Sequence, residues 1–551
     1  MIYVGVNAGT TSSGMKLNDG GCCIIKNGEI LAIAEERVTQ KKYAGGFDMS
    51  LEYCLNATNT RYEDVTKLAI SSCCEKKKSS CNIEHFTDSQ IVICPSHHLS
   101  HALSCFMTSP FREAIIIVID NEGNILDDDD NENLPFHKRK LEHMSYYIGN
   151  EDGVHLLERD FVNPNKIGLG DAYRYFTHYL GFPSYSYAGK TMGLAAYGNE
   201  ERFKNVRLFN LDNGHITCDI SNDYFDCEKS LETYLKKKLG KDFVAYRNPI
   251  DDITQDHADL ARLIQRETER ILSEKVDYLI KKTGIKNICI SGGLGLNTVA
   301  NSYIKDNCDI DGIYIVPAAG DSGQCLGNAI YAYCQDNGYK KHFDINHAYL
   351  GKEYSDKDIE DAIQCLKKNS DEYDIDVYCN KLDLANRIAD ELSKGRYIGN
   401  FYGRSEFGPR ALGNRSILAN PIMDNTKDDL NKKIKYREYF RPFAPIVKCD
   451  KAANFFEIEG ESPYMLLVAK VRSKREIPAV THRDGTARVQ TMTPDQNEHI
   501  YNILDFFEKM TGIPVILNTS FNINGKPIVE TPQDAVNCFI STNLDDLAIG
   551  N

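Results

Sequence analysis

Short apolar runs of strand length, separated by polar punctuation, dominate the first third of the chain, and a long helical spacing replaces them near its middle. Residues 2–7 (Ile-Tyr-Val-Gly-Val-Asn) and 30–34 read as strands of an opening β-meander, with a hairpin through Asn27-Gly28. The run 113–119 (Glu-Ala-Ile-Ile-Ile-Val-Ile) is apolar enough for a strand covered on both faces. From Asp256, a candidate N-cap, Leu260, Leu263, Ile264, Ile271, Val276, Leu279 and Ile280 keep helical spacing until Gly284. A strand at 287–290 leads into Ser-Gly-Gly-Leu-Gly-Leu-Asn. A second at 312–316 leads into Pro-Ala-Ala-Gly-Asp-Ser-Gly and a helix at 325–333. Strand, glycine-rich turn and helix in succession are what an α/β nucleotide-binding domain requires. No short-period repeat is visible. The acidic and then basic stretch 127–143 reads as an exposed loop. A boundary is expected at 340–355, giving domains 1–345 and 346–551, the second an α+β unit with less regular alternation.

Composition narrows the class. A chain of 551 residues with 42% hydrophobic and 26% charged content is an ordinary globular protein of several domains. No apolar run reaches the roughly 18 residues of a membrane helix, and the N-terminus goes directly into a strand without a basic flank, so a cytoplasmic protein without a membrane partner is expected. The net charge of -15 argues against a dedicated nucleic-acid binder. The 18 cysteines are scattered, and Cys73, Cys74 and Cys81 match no strong zinc spacing, so reduced structural thiols are expected.

Against this acidic balance, residues 403–415 (Gly-Arg-Ser-Glu-Phe-Gly-Pro-Arg-Ala-Leu-Gly-Asn-Arg) concentrate Arg404, Arg410 and Arg415 among glycines. Lys435, Arg437, Arg441 and Arg488 follow. Guanidinium forks grip phosphate or carboxylate oxygens bidentately, and glycines admit close backbone approach, so the set predicts a polyphosphate pocket. Val515–Asn522 is an apolar strand running into Asn518, Ser520 and Asn522, polar groups that need partners or a ligand. In 95–102 (Pro-Ser-His-His-Leu-Ser-His-Ala), Ser96 as N-cap places His97 and His101 on one helix face, with His98 as an alternative ligand. Asp120 and Asp321 follow strands, where α/β sheets place their sites. Two histidines with two aspartates suit Fe, Mn or Zn better than Mg. Gly292, Gly293 and the turn at 320–323 offer backbone N–H groups to a nucleotide. Gly189-Lys190 joins a lysine to glycines without Walker spacing.

Together these motifs resemble the carbamoyltransferase family of antibiotic and nodulation-factor biosynthesis. The match is carried by 97–102, 189–198, 292–301, 317–327, 403–421, 435–445, 485–491 and 512–531. The resemblance implies an α/β enzyme whose N-terminal domain is TsaD-like, of the actin/hexokinase (ASKHA) type, and whose C-terminal domain is a YrdC-like α/β fold. It implies a mononuclear divalent metal, most often Fe2+ with Mn2+ or Zn2+ as alternatives, on His97, His101, Asp120 and Asp321. It implies carbamoyl phosphate and ATP (with Mg2+) as substrates, carbamoyl-adenylate as intermediate and a hydroxylated small molecule, a sugar or natural-product intermediate, as acceptor. Arg404, Lys435, Arg437, Arg441 and Arg488 become the candidate catalytic cations. Lys42, Gly189, Lys190, Gly292, Gly293, Asn297, Arg410, Asn518, Ser520 and Asn522 become the nucleotide and substrate contacts. A homodimer is compatible with this reading. Threonylcarbamoyl-type transfer to tRNA and a non-catalytic nucleotide-binding protein are the alternatives. Two departures stand out: Thr10-Thr11 where the family carries His-Asp, and Asp120-Asn121-Glu122-Gly123 where it carries Asp-Gly-x-Gly.

Overall fold

A computed structural model describes residues 1–7, 18–71, 83–121, 123–124, 141–160, 166–182, 185–222, 226–340, 343, 345–369, 373–436, 440–441 and 443–550. Residues 127–140 of the expected acidic loop, Thr10 to Ser13, Cys73, Cys74, Cys81, Glu122 and Arg437 lie outside the described residues. At the end of that expected loop, Glu142 and His143 are buried rather than exposed. The chain forms two compact units, one of Met1–Glu29, Gly45–Leu51 and Thr58–Asp344, the other of Ile30–Ala44, Glu52–Ala57 and Ile345–Asn551. Two short segments that a single cut after residue 345 would leave in the first unit therefore pack with the second.

Strands β1 (Ile2–Asn7), β2 (Gly21–Lys26), β3 (Glu29–Ala34), β4 (Lys67–Ser71) and β5 (Ile91–Ile93) are ordered β3-β2-β1-β4-β5. β1 is antiparallel to β2 and parallel to β4, and β5 is parallel to β4. The hairpin is the expected one, with positive φ at Asn27 and Gly28. A second sheet contains β6 (Ala114–Ile119), β7 (Met144–Asn150) and β8 (Gly153–Asp160). The hairpin β9 (Phe209–Asp212) and β10 (His215–Cys218) intervenes, and β11 (Asn287–Ser291) and β12 (Gly312–Ile315) complete the order β12-β11-β6-β7-β8. Again the first three strands are an antiparallel meander and the last two are parallel additions. Both sheets thus follow a 3-2-1-4-5 pattern, a duplication invisible as a sequence repeat. It is the duplicated core of the actin/hexokinase type.

The long helix is Gln255–Thr283, capped by Thr254 with His257 rather than by Asp256, and closed by left-handed Gly284. Helix His97–Phe106 lies against helix Gln324–Asn337 at very close range. A Cβ on Gly327 would stand 1.9 Å from Ser100 O, so only glycine permits this crossing.

The second unit is built on strands β13 (Ile398–Phe401), β14 (Arg415–Ala419), β15 (Ala444–Lys448), β18 (Gln490–Met492), β19 (Val515–Ser520) and β20 (Asp546–Ile549), ordered β18-β15-β19-β14-β13-β20. A small pair, β16 (Ala469–Lys470) and β17 (Thr486–Ala487), lies outside this sheet. Ile417, Phe443, Val447, Val515, Leu517 and Phe521 belong to its buried core.

Candidate active site

In the first unit, Ser96 caps helix His97–Phe106 as expected, its Oγ accepting from Leu99 N at 3.1 Å and donating to Glu142 Oε1 at 2.7 Å. The helix turns His97 and His101 to one side with ring centroids 5.0 Å apart. Asp120 arrives from the end of β6 and Asp321 from the turn after β12. His97 Nε2 lies 3.3 Å from Asp120 Oδ2 and 3.4 Å from Asp321 Oδ1. His101 Nε2 lies 3.2 Å and 3.3 Å from the same two oxygens. A zinc-sized ion about 2.0–2.1 Å from each of four tetrahedral donors spaces those donors by about 3.4 Å. Four side chains from three separate elements converge to that spacing, so the donor set fits a divalent metal.

The electrostatics agree. Burial alone would lower both histidines, but the carboxylates of Asp321 and Asp120 outweigh it, raising His97 to about 10 and His101 above its ordinary value. Burial would raise Asp120, yet its bonds to His101 and His97 hold it well below the usual carboxylate range. The buried Asp120 and half-buried Asp321 carboxylates facing two buried imidazoles demand positive charge, which protons or a divalent cation can supply.

His98 is not in this group. Its Nδ1 meets Ser145 Oγ at 2.7 Å and burial pushes it down to about 3. Gly292 and Gly293 support the cage as packing residues: a Cβ on Gly292 would stand 2.3 Å from Ile119 O, and one on Gly293 would stand 3.2 Å from Asp120 Oδ1. Asn297 caps helix Thr298–Asn307 through Ala300 N at 3.1 Å and exchanges two hydrogen bonds with Gln265. Lys190, on helix Ala188–Ala195 beside Gly189, holds its Nζ 4.2 Å from the Tyr187 ring centroid. Lys42 belongs to the second unit, exposed with its Nζ 5.4 Å from the Tyr43 ring centroid. Sequence reasoning missed Gln324, whose Nε2 lies 2.6 Å from His97 Nε2. Its position three residues after Asp321 was the only signal.

In the second unit the arginine-rich stretch divides by role. Arg404 donates from Nε to Gly351 O at 2.6 Å and from Nη2 to Ile30 O at 2.9 Å and Leu350 O at 3.1 Å. Arg415 lies buried 3.6 Å over the Phe401 ring and donates to the carbonyls of Tyr402, Gly403 and Asn414. Glu406 Oε1 accepts three backbone N–H groups, from Leu412, Asn414 and Arg415. These residues build the loop. Arg410 differs: its Nε is buried and finds no hydrogen-bonding partner among the described residues. Burial and the neighbouring charge of Arg441 bring Arg410 down to about 10. Nearby on the β17 turn, burial, helped by Arg488 and Lys427 against Asp484, brings His482 to about 4.

Asn518 donates to Ala411 O at 3.0 Å and Gln490 Oε1 at 3.1 Å, while its own Oδ1 is buried without a partner among the described residues. Gln490, also missed from sequence, pins Leu412 O at 2.8 Å. Lys435, at the end of a π-helical turn, donates to Ser520 O, to Asn522 O at 3.0 Å and to Asn522 Oδ1 at 2.8 Å. The structure therefore brings Lys435, Ser520 and Asn522 together, and Arg410 together with Arg441. It holds Arg404 on main-chain carbonyls.

Residues 81–330 match the carbamoyltransferase N-terminus model and residues 389–551 the carbamoyltransferase C-terminus model. The chain belongs to the carbamoyltransferase family. Among relatives of this carbamoyltransferase, the nodulation protein NolNO of Sinorhizobium fredii is 31% identical over 97% of this chain and 78% of its own length. The uncharacterized protein sll1178 of Synechocystis is 32% identical over 97% and 94%. A 3'-hydroxymethylcephem-O-carbamoyltransferase of Amycolatopsis lactamdurans is 35% identical over 48% of this chain and 47% of that protein. Full-length HypF in its phosphate- and nucleotide-bound form overlaps 61% of the chain and 56% of its own at 12% identity and a TM-score of 0.38, so the fold assignment rests on strand order instead. No helix among the described residues is long and apolar enough to cross a membrane.

Proposed function

We propose that this carbamoyltransferase is an ATP-dependent O-carbamoyltransferase that works in two steps. Water first hydrolyses carbamoyl phosphate, attacking phosphorus as its bond to the carbamate oxygen breaks, to give carbamate, inorganic phosphate and a proton. A carbamate oxygen attacks the α-phosphorus of ATP, the bond to the bridging oxygen breaks, and pyrophosphate leaves carbamoyl-adenylate. The hydroxyl oxygen of a small metabolite then attacks the carbamoyl carbon, its proton is lost, and AMP departs.

The observation that carries this reading is the Arg410–Arg441 pair. Burial and mutual repulsion depress Arg410, and its buried Nε has no partner among the described residues. Like charges so placed are relieved by an anion. Arg410, Arg441 and Arg488 are assigned to phosphate charge in a YrdC-like second unit. Asn518, with its buried Oδ1 free to accept, is assigned to an N–H donor such as the carbamoyl amide. Lys435 is assigned to shaping the Ser520–Asn522 edge of the same site. Arg437, outside the described residues, and Lys42 are retained as further phosphate contacts, with Gly189 and Lys190 at the nucleotide in the first unit.

His97, His101, Asp120 and Asp321 would hold the divalent metal, Fe2+ foremost, which when bound polarises an oxygen of the carbamoyl-adenylate. Held on one helix, the two histidines meet the carboxylates without reorganisation, and their burial excludes water that would hydrolyse a mixed anhydride. With Thr10-Thr11 in place of the family's His-Asp, the acceptor is expected to differ from those of the antibiotic enzymes.

The test is a panel of hydroxylated acceptors, with tRNA as comparison, incubated with ATP and isotopically labelled carbamoyl phosphate. AMP formed in step with a carbamoylated small molecule supports the reading. Label transferred only to tRNA contradicts it.

A further inference from the structure

His178, Cys227 and Glu228 bring nitrogen, sulphur and oxygen donors together in the first unit, apart from the His–Asp cage. His178 lies in the last turn of helix Leu169–Tyr179. Cys227 and Glu228 open helix Cys227–Leu239, which Asp226 caps through Lys229 N at 3.1 Å. The two helices pack against each other, and one donor atom from each of the three residues lies within 4.8 Å of the other two. His178 Nδ1 is 3.8 Å from Glu228 Oε1, and the Cys227 thiol donates to Glu228 Oε2 at 3.4 Å. An ion about 2.3 Å from sulphur and 2.0–2.2 Å from nitrogen and oxygen spaces its tetrahedral donors by about 3.4–3.6 Å. Small side-chain rotations therefore suffice to close the three donors on an ion.

The helix that carries His178 begins beside the cage, where a Cβ on Gly170 would stand 2.5 Å from Asp120 O. From Gly170 to His178 is about 12 Å along the helix, so the two donor sets cannot share one ion.

The protonation states suit a divalent cation. Burial lowers the His178 imidazole, and burial with the Glu228 charge raises the Cys227 thiol to about 11. The imidazole thus keeps a lone pair to offer, and the thiol holds its proton until a binding ion displaces it to solvent. Thiolate and carboxylate then balance the two charges of the ion. Arg174, whose charge reaches both His178 and Cys227, is paired with Asp171 at 2.9 Å. The His178 and Glu228 side chains are 24% and 39% exposed, which leaves a fourth position open to water. Thiolate with imidazole selects Zn2+ over the oxygen-seeking Mg2+ and Ca2+.

We propose that His178, Cys227 and Glu228 form a second metal site, which binds Zn2+ through one sulphur, one nitrogen and one oxygen with water as the fourth ligand. It stands independently of the cage and of the carbamoyl-transfer reading.

The test titrates Co2+ into the reduced full chain after dialysis against a chelator. Thiolate bound to Co2+ gives an intense near-ultraviolet charge-transfer band that a cage of histidines and aspartates cannot produce. The wild type is expected to develop this band to one equivalent per chain and to lose it when Zn2+ is added. Cys227→Ser is expected to abolish the band. His178→Ala, which removes a ligand, is expected to weaken the binding it reports by at least the about 10–100-fold that loss of a group merely orienting a ligand causes. Absence of the band in the wild type, which needs no variant to fold, overturns the proposal. So does a band undiminished in Cys227→Ser, or one of unchanged affinity in His178→Ala.

Discussion

Gly292→Ala probes how the backbone holds Asp120. Gly292 has φ +86 and ψ 170, a region essentially confined to glycine that costs a residue with a Cβ about 1–3 kcal/mol. The larger effect is steric. The added Cβ would stand 2.3 Å from Ile119 O, 2.7 Å from Ile119 C and 2.9 Å from Ile119 N, all backbone atoms with no rotamer to escape into. Real Cβ contacts do not fall under 3.0 Å, so the two segments must part by about 0.7 Å, against a tolerance of about 0.2 Å in metal–ligand distance. Ile119 immediately precedes Asp120, so the displacement passes directly to one of the four donors. Elemental analysis and Co2+ titration of the purified variant are expected to show a folded protein with less than one metal per chain and weakened affinity. One tightly held ion per chain in Gly292→Ala would refute the reasoning, because Asp120 would then be either independent of this contact or no ligand.

Arg404→Ala leaves three carbonyls without their charged donor and is expected to lower unfolding stability by about 2–4 kcal/mol, read in a denaturant titration. Arg441→Ala is expected to leave stability nearly unchanged while abolishing pyrophosphate release, so equal stability losses in the two variants would contradict their separate roles. His101→Ala is expected to lose metal while still releasing pyrophosphate, and full metal content by elemental analysis would remove His101 from the ligand set. His499, stacked 3.8 Å from the Tyr402 ring centroid, is pushed down by burial to about 3. It stays neutral in the folded chain, whereas the unfolded chain takes up a proton below pH 6.5. Its stabilising contribution is thus complete above pH 6.5 and lost as pH falls toward 3. Between pH 7 and 5 the wild type should lose about 2 kcal/mol more stability than His499→Phe, and parallel losses in denaturant titrations would exclude this.

Local chemistry was legible in the sequence wherever neighbours along the chain decide the structure. Asn27-Gly28 sets its own hairpin, Ser96 caps its own helix, and the apolar run 113–119 can only be a covered strand, observed as Ala114–Ile119. The grouping of His97, His101, Asp120 and Asp321 was legible because i, i+4 histidines and strand-end aspartates are spacing signals. What the sequence did not show depended on distant partners. Arg404 and Arg410 look alike in sequence; Arg404 donates to carbonyls at Ile30, Leu350 and Gly351, whereas Arg410 lies near the charge of Arg441 and its Nε finds no hydrogen-bonding partner among the described residues. Asn297 looked ligand-facing until Gln265 on the long helix met it. The cap of that helix moved to Thr254 because its reciprocal partner is His257, outside the usual Glu/Gln pattern. The duplicated sheet left no sequence trace, since strand order is conserved by packing rather than by residue identity.

The most direct test of the account is to incubate the purified, metal-loaded protein with carbamoyl phosphate and ATP, without acceptor, and to measure phosphate and pyrophosphate together. Release of both, each dependent on the presence of the other substrate, is the predicted result. Pyrophosphate formed without carbamoyl phosphate, or neither product with the cage filled, would contradict the adenylate-forming role assigned to Arg410 and Arg441.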